Sequence, residues 1–140
     1  MKSFQHINWN TKWEAFTLTE LLVVLVIIGI LVLLALPNLM PLISRAKSTE
    51  AQLQLEHLYT LQKSSFYMHS KYETDVKLLG FEQEKLVKDD GNANYIIEIV
   101  SASNNAFVAT ATAVTDFDGD GTFNVWQIDQ DKKLKEVTPD

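Results

Sequence analysis

Residues 116–121 read Asp-Phe-Asp-Gly-Asp-Gly. Three carboxylates at alternate positions, with glycine at the sixth, form the first half of an EF-hand-type calcium loop. Alternate spacing lets Asp116, Asp118 and Asp120 converge, and Gly121 permits the sharp turn. Thr122 can offer its carbonyl, and Asn124 falls at the ninth position. The twelfth position is Gln127, so the usual bidentate glutamate is missing, and Asp129 would replace it only in an unusual loop. The same residues also suit a polar turn between strands, since Asp-Gly pairs are common hairpin signals. Carboxylates this close repel unless neutralised. The expectation is a calcium ion held by Asp116, Asp118, Asp120, Thr122 and Asn124, without a full EF-hand.

A second chemically pointed residue is Glu20. It is the one charge between Phe16 and Leu36, and residues 21–36 carry no polar side chain at all. An α-helix rises about 1.5 Å per residue, so residues 16–36 are long enough to cross roughly 30 Å of hydrocarbon. A cleaved secretory signal would have a shorter apolar run and a small-x-small site after it; here Leu36-Pro37-Asn38 follows. A buried core helix would be shorter and broken by polar positions. The segment therefore reads as a membrane helix. An ionisable group in such surroundings is costly and usually paired, although a carboxylate at a helix start also interacts favourably with the helix dipole. Gly29, Pro37 and Pro41 weaken the helix, because proline removes a hydrogen bond and crowds the preceding turn. Lysines and arginines on the two sides nearly balance, so charge alone leaves the orientation open.

Other chemistry is sparse. The 140 residues contain no cysteine, which excludes disulfides, thiolate zinc sites and cysteine nucleophiles. His6, His57 and His69 are scattered, and neither a phosphate loop nor a nucleophile–base pair is visible. The net charge of -6 and the lack of a basic cluster argue against nucleic acid binding. Lys132, Lys133 and Lys135 form a small basic group within an acidic tail. No enzyme activity is expected.

The stretch Ala15-Phe16-Thr17-Leu18-Thr19-Glu20-Leu21-Leu22-Val23-Val24 resembles the class III signal of type IV prepilins and type II secretion pseudopilins. That pattern has a short polar leader, a small residue, Phe-Thr-Leu-x-Glu and an unbroken apolar helix. The resemblance continues through Gly29, Ala35 and Pro37 and covers about the first forty residues. It departs at Ala15, where the family normally has glycine. The resemblance implies cleavage between Ala15 and Phe16 by a prepilin peptidase, N-methylation of Phe16, and a cytoplasmic N-terminus on a single-pass inner-membrane protein. It implies that Glu20 pairs with the freed Phe16 amine of its own or a neighbouring subunit. It further implies that the stretch between Gly29 and Pro37 can extend on assembly. Implied partners are further copies and related pilins, inner-membrane assembly machinery and membrane lipid, with a surface or extracytoplasmic filament as destination.

These features need a scaffold. Ala51, Leu55, Leu58, Leu61 and Ser65 recur three or four apart, so a helix running from Phe16 to near Ser70 has an amphipathic second half. Residues 71–94 form a connector with a turn at Asp89-Asp90-Gly91-Asn92. Strands are expected at 95–100, 106–114, 123–128 and 133–137, with Val108, Thr110, Thr112 and Val114 sharing one side. The predicted class is α+β, a long helix laid on a small antiparallel sheet in the pilin manner. The predicted divisions are a leader at 1–15, a membrane and assembly helix at 16–41 and an exported domain at 42–140. The function expected is a structural subunit of a type IV filament, pilus pilin or secretion pseudopilin. The alternative is a membrane-anchored calcium-binding module that never polymerises.

Overall fold

The computed structural model describes residues 15–140. The predicted leader therefore lies outside the described residues, apart from Ala15. Helix α1 runs Leu18–His69, followed by a 3-10 turn at Val87–Asp89 and four strands: β1 Tyr95–Ala102, β2 Phe107–Ala113, β3 Val125–Asp129 and β4 Lys135–Thr138. The chain divides into two compact units, Met1–Pro37 and Asn38–Asp140.

In the first unit the helix is apolar on every side, and its large side chains from Leu21 to Leu36 are all exposed. A helix apolar all round fits a lipid environment better than water. Helical backbone continues through Gly29, Pro37 and Pro41, so neither proline ends the helix as its missing N–H would allow.

In the second unit, the part of α1 from Asn38 packs on the sheet, which is antiparallel throughout in the order β1-β2-β3-β4. The buried stripe of the helix is Ser44, Ser48, Ala51, Leu55, Leu58, Gln62 and Ser65. It meets alternate residues of β2, where Phe107, Ala109, Ala111 and Ala113 are buried. The Val108, Thr110 and Thr112 side of β2 is the outer, half-buried one. Three alanines on the inner face leave room for the helix but yield a thin core with little apolar area per residue. At one end of this core Tyr72 stacks on Phe66 at 4.8 Å between centroids and tilts against Phe107 at 5.0 Å.

Polar clamps support this thin core. Gln62 is fully buried; its amide donates to Glu73 O and accepts from Glu73 N at 2.8 and 2.9 Å, fastening the connector to the helix. The Glu50 carboxylate takes both the backbone N–H and the side-chain amide of Asn94, at 2.7 and 2.6 Å. The Asp89–Asn92 turn forms as expected, with Asp90 in the left-handed region at φ 61°. Gly91 follows it and packs against the Lys85 carbonyl, where a Cβ has no room.

Candidate functional site

At the N-terminal end, Thr17 and Glu20 form a capping box. The Thr17 N–H and hydroxyl both donate to Glu20 Oε2 at 2.8 Å, and the Glu20 N–H donates to Thr17 Oγ1 at 3.2 Å. A Thr-x-x-Glu sequence satisfies orphan donors of the first helical turn in this reciprocal way. The helix-start role of Glu20 is thus realised, through hydrogen bonds as well as the dipole. It leaves Oε1 outside the box, in a setting where Phe16 is 87% exposed. One carboxylate oxygen holds the helix start, and the other takes no part in it. A Cβ added at Gly29 meets nothing within 4 Å.

The aspartate loop connects β2 to β3. Asp116 accepts from the Gly119 and Gly121 N–H groups at 2.6 and 2.7 Å, Asp118 from Asp120 N at 3.0 Å, and Asp120 from Thr122 N at 2.6 Å. Gly119 and Gly121 adopt φ values of 82° and 90°, a conformation that side chains with a Cβ resist. The loop folds around its own carboxylates. A fourth carboxylate joins them: Asp116, Asp118, Asp120 and Asp140 each bring one oxygen within 4.8 Å of the others. Asp140 arrives from beyond β4, tied by the Phe117 N–H to Oδ2 at 3.0 Å and by the Ser44 hydroxyl to its carbonyl at 3.1 Å. No spacing rule points to Asp140, which lies twenty residues beyond Asp120; the strand pairing delivers it.

The environment splits these acids. Backbone N–H groups, Gly121 foremost, hold the Asp116 carboxyl below the usual carboxylate range. Burial, aided by the charges of Asp118 and Asp116, pushes Asp140 up. Its Oδ1 is buried and has no hydrogen-bond partner among the described residues.

Asn124, expected at the ninth position of the calcium loop, is not brought to this cluster. It is fully buried. Its Oδ1 accepts from the Tyr95 hydroxyl at 2.8 Å and the Ser48 hydroxyl at 3.4 Å. Its Nδ2 donates to Glu136 Oε1 at 2.7 Å and Thr138 O at 3.1 Å. All of its hydrogen-bonding capacity is spent joining helix, β1 and β4. It is a core clamp, and spacing along the chain misses this because its partners Ser48, Tyr95, Glu136 and Thr138 are all distant in sequence.

A helix with an apolar first half and an acidic residue at its head, continuing into a unit where it lies on an antiparallel sheet, is a pilin-like fold. No family model matches the chain. The chain is similar to the type IV major pilin protein PilA of Myxococcus xanthus (strain DK1622), with 40% identity over 78 residues. The matched part covers 56% of this chain and 36% of that protein, so the chain spans little more than a third of its relative's length. This likeness to a type IV pilin agrees with the resemblance read from the sequence.

Proposed function

We propose that this chain is a structural subunit of a type IV filament, anchored in the membrane by its apolar helix before assembly, and not an enzyme. The observation that carries the proposal is the likeness to a major pilin over 78 residues, which favours a pilus over a secretion pseudopilin. The finer steps follow from the N-terminal segment. A prepilin peptidase cuts between Ala15 and Phe16, and Phe16 is N-methylated. The helix then polymerises with copies of itself. Glu20, whose Oε2 is held by Thr17, offers Oε1 to a Phe16 amine. N-terminal sequencing of protein from its native membrane should begin at Phe16. Glu20→Ala should insert in the membrane as well as the parent yet fail to enter filaments. A chain still starting at Met1, or normal filaments from the alanine variant, would defeat this reading. Normal processing with no filaments from the parent protein would leave the non-polymerising anchor as the better account.

A second proposal, calcium at the aspartate loop, has its own support in Asp140. Oxygens on opposite sides of a calcium ion, each at about 2.3–2.6 Å from it, stand about 5 Å apart. The four carboxylates gather within 4.8 Å, and the unpartnered Asp140 Oδ1 gains a cation to face. Asp116, Asp118, Asp120 and Asp140 would hold the ion and Asn124 would not, while Thr122 remains a possible carbonyl ligand. A bound ion stabilises the folded state by mass action. The protein should melt higher in millimolar calcium than in chelator, magnesium should help less, and Asp118→Asn with Asp120→Asn should erase the difference. Equal melting in calcium and chelator would make the loop a plain turn.

A further inference from the structure

The globular unit presents glutamates on one flank of its helix and lysines on the other. The buried stripe of α1 passes through Ala51, Leu55, Leu58 and Gln62. With 3.6 residues per turn, Gln54 and His57 fall on one side of that stripe, and Tyr59 and Lys63 on the other. Beside Gln54 and His57 runs the connector, and together they line a groove of about 390 Å³ that includes Phe81, Glu82 and Glu84. Gln83, between the two glutamates, is committed to β1: its amide accepts from Ile97 N and donates to Tyr95 O, both at 3.0 Å. Side chains alternate in extended chain, so Glu82 and Glu84 share the groove side. Phe81 lies 5.9 Å from the His57 ring and provides an apolar floor. Gln54 Oε1 is buried with no partner among the described residues, a costly state that an arriving donor relieves.

The other flank presents exposed lysines beside Asp129 and Asp131. Lys63 and Lys132 sit 5.4 and 6.0 Å from the centroid of the same Tyr59 ring. Lys132 and Lys133 occupy the β3–β4 turn, which Asp129 Oδ1 pins by accepting from the N–H groups of Asp131 and Lys133 at 2.9 and 3.0 Å. The Lys133 side chain is 74% exposed, and its ion pair to an exposed Asp131 at 3.5 Å is of the kind that contributes little.

We propose that the Lys132–Lys133 turn of one copy seats in the Glu82–Glu84 groove of the next. This rests on the filament reading above and specifies one of its contacts. Copies carrying a net charge of -6 repel at a distance, so a close contact needs local complementarity, which these two flanks supply. A lysine stem packs on Phe81 while its ammonium meets the carboxylates. The two surfaces differ, so the contact is heterologous, and repeating it builds an open chain rather than a closed dimer.

The chain has no native cysteine, so cross-linking is clean. Full-length Glu84→Cys and Lys133→Cys chains should be co-expressed and oxidised in assembled filaments. Heterodimers are expected from the pair, and a ladder of multimers when one chain carries both substitutions. Separately, Glu82→Lys with Glu84→Lys, and Lys132→Glu with Lys133→Glu, should each cause loss of filaments, and combining all four should restore them. Normal parent filaments with no cross-link would overturn the contact and leave the filament reading intact, even if a charge-reversed variant failed to fold. The same holds if filaments persist in both reversed variants. A parent chain that forms no filaments would overturn both.

Discussion

Replacing Asn124 by aspartate separates two roles that the chain position alone confuses. At a calcium ligand, an added carboxylate is tolerated or tightens binding. In the observed core it removes the two bonds from Nδ2, to Glu136 Oε1 at 2.7 Å and Thr138 O at 3.1 Å. The Thr138 carbonyl left unpaired costs about 1–3 kcal/mol, whereas the exposed Glu136 carboxylate is taken up by water. The substitution also sets a carboxylate, at a position with no exposure, against that of Glu136, and the buried charge adds to the loss. A destabilisation of at least about 3 kcal/mol follows, a large share of the roughly 5–15 kcal/mol that stabilises a typical domain. For about a hundred residues, 1 kcal/mol lowers Tm by about 4–8 °C, so the expected fall exceeds about 12 °C. Asn124→Ala should be milder than Asn124→Asp, because it strands the same partners but buries no charge. The assay is thermal unfolding of the full chain in detergent, followed by near-ultraviolet circular dichroism, with and without calcium. A parental Tm with tighter calcium binding in the aspartate variant would refute the reasoning and return Asn124 to the loop.

Three further outcomes are expected. Gly91→Ala should destabilise the globular unit by about 1–3 kcal/mol, because a Cβ there overlaps the Lys85 carbonyl that accepts from Asn92 and Ala93 at 3.0 Å; a melt equal to that of the parent would contradict this packing. Gly29→Ala, where a Cβ meets nothing within 4 Å among the described residues, should leave the same melt unchanged, and an altered melt would contradict the open space at that position. In alkali, stability should fall: burial pushes the Tyr95 hydroxyl up to about 12, so above its ordinary value near 10 the unfolded chain ionises while the folded one does not. Lys63 acts in the same direction, since its hydrogen bond to the Tyr72 hydroxyl raises it above the usual 10.5; its contribution is complete below that value and is lost as pH rises through the folded one. Denaturant titrations near pH 9 and near pH 11 check this, and Tyr95→Phe should flatten the slope.

What was legible in the chain follows hydropathy. The apolar run with Glu20 at its head, the helix stripe of Ala51, Leu55 and Leu58, and the four strands to within two or three residues all leave periodic traces. The same stripe also contains Ser44, Ser48 and Gln62, which carry no apolar signal. They are buried because partners elsewhere take up their polar groups: Asp140, Asn124 and the Glu73 backbone. The inward side of β2 was ambiguous for a related reason. One side is Val and Thr, the other mainly alanine, and hydropathy does not favour the small residues. Close approach of the helix does. Asp140 is the extreme case, since its place in the aspartate loop depends on the path of β3 and β4 and on nothing local.

On the proposed filament reading, these polar clamps bear on assembly as well as on stability. A core built on Ala109, Ala111 and Ala113 cannot fix the position of a connector by apolar area alone. The connector segment carrying Glu82 and Glu84 is instead held by directional bonds: Gln83 to the edge of β1, Gln62 to Glu73, and Glu50 to Asn94. Directional bonds specify position more sharply than burial does, and charged surfaces that must meet between copies need that sharpness. On the opposite flank Asp129 does the same for the lysine turn. Loosening Gln62 or Asp129 should therefore impair filament assembly beyond what the loss of folding stability explains, because each holds one half of the proposed contact in place.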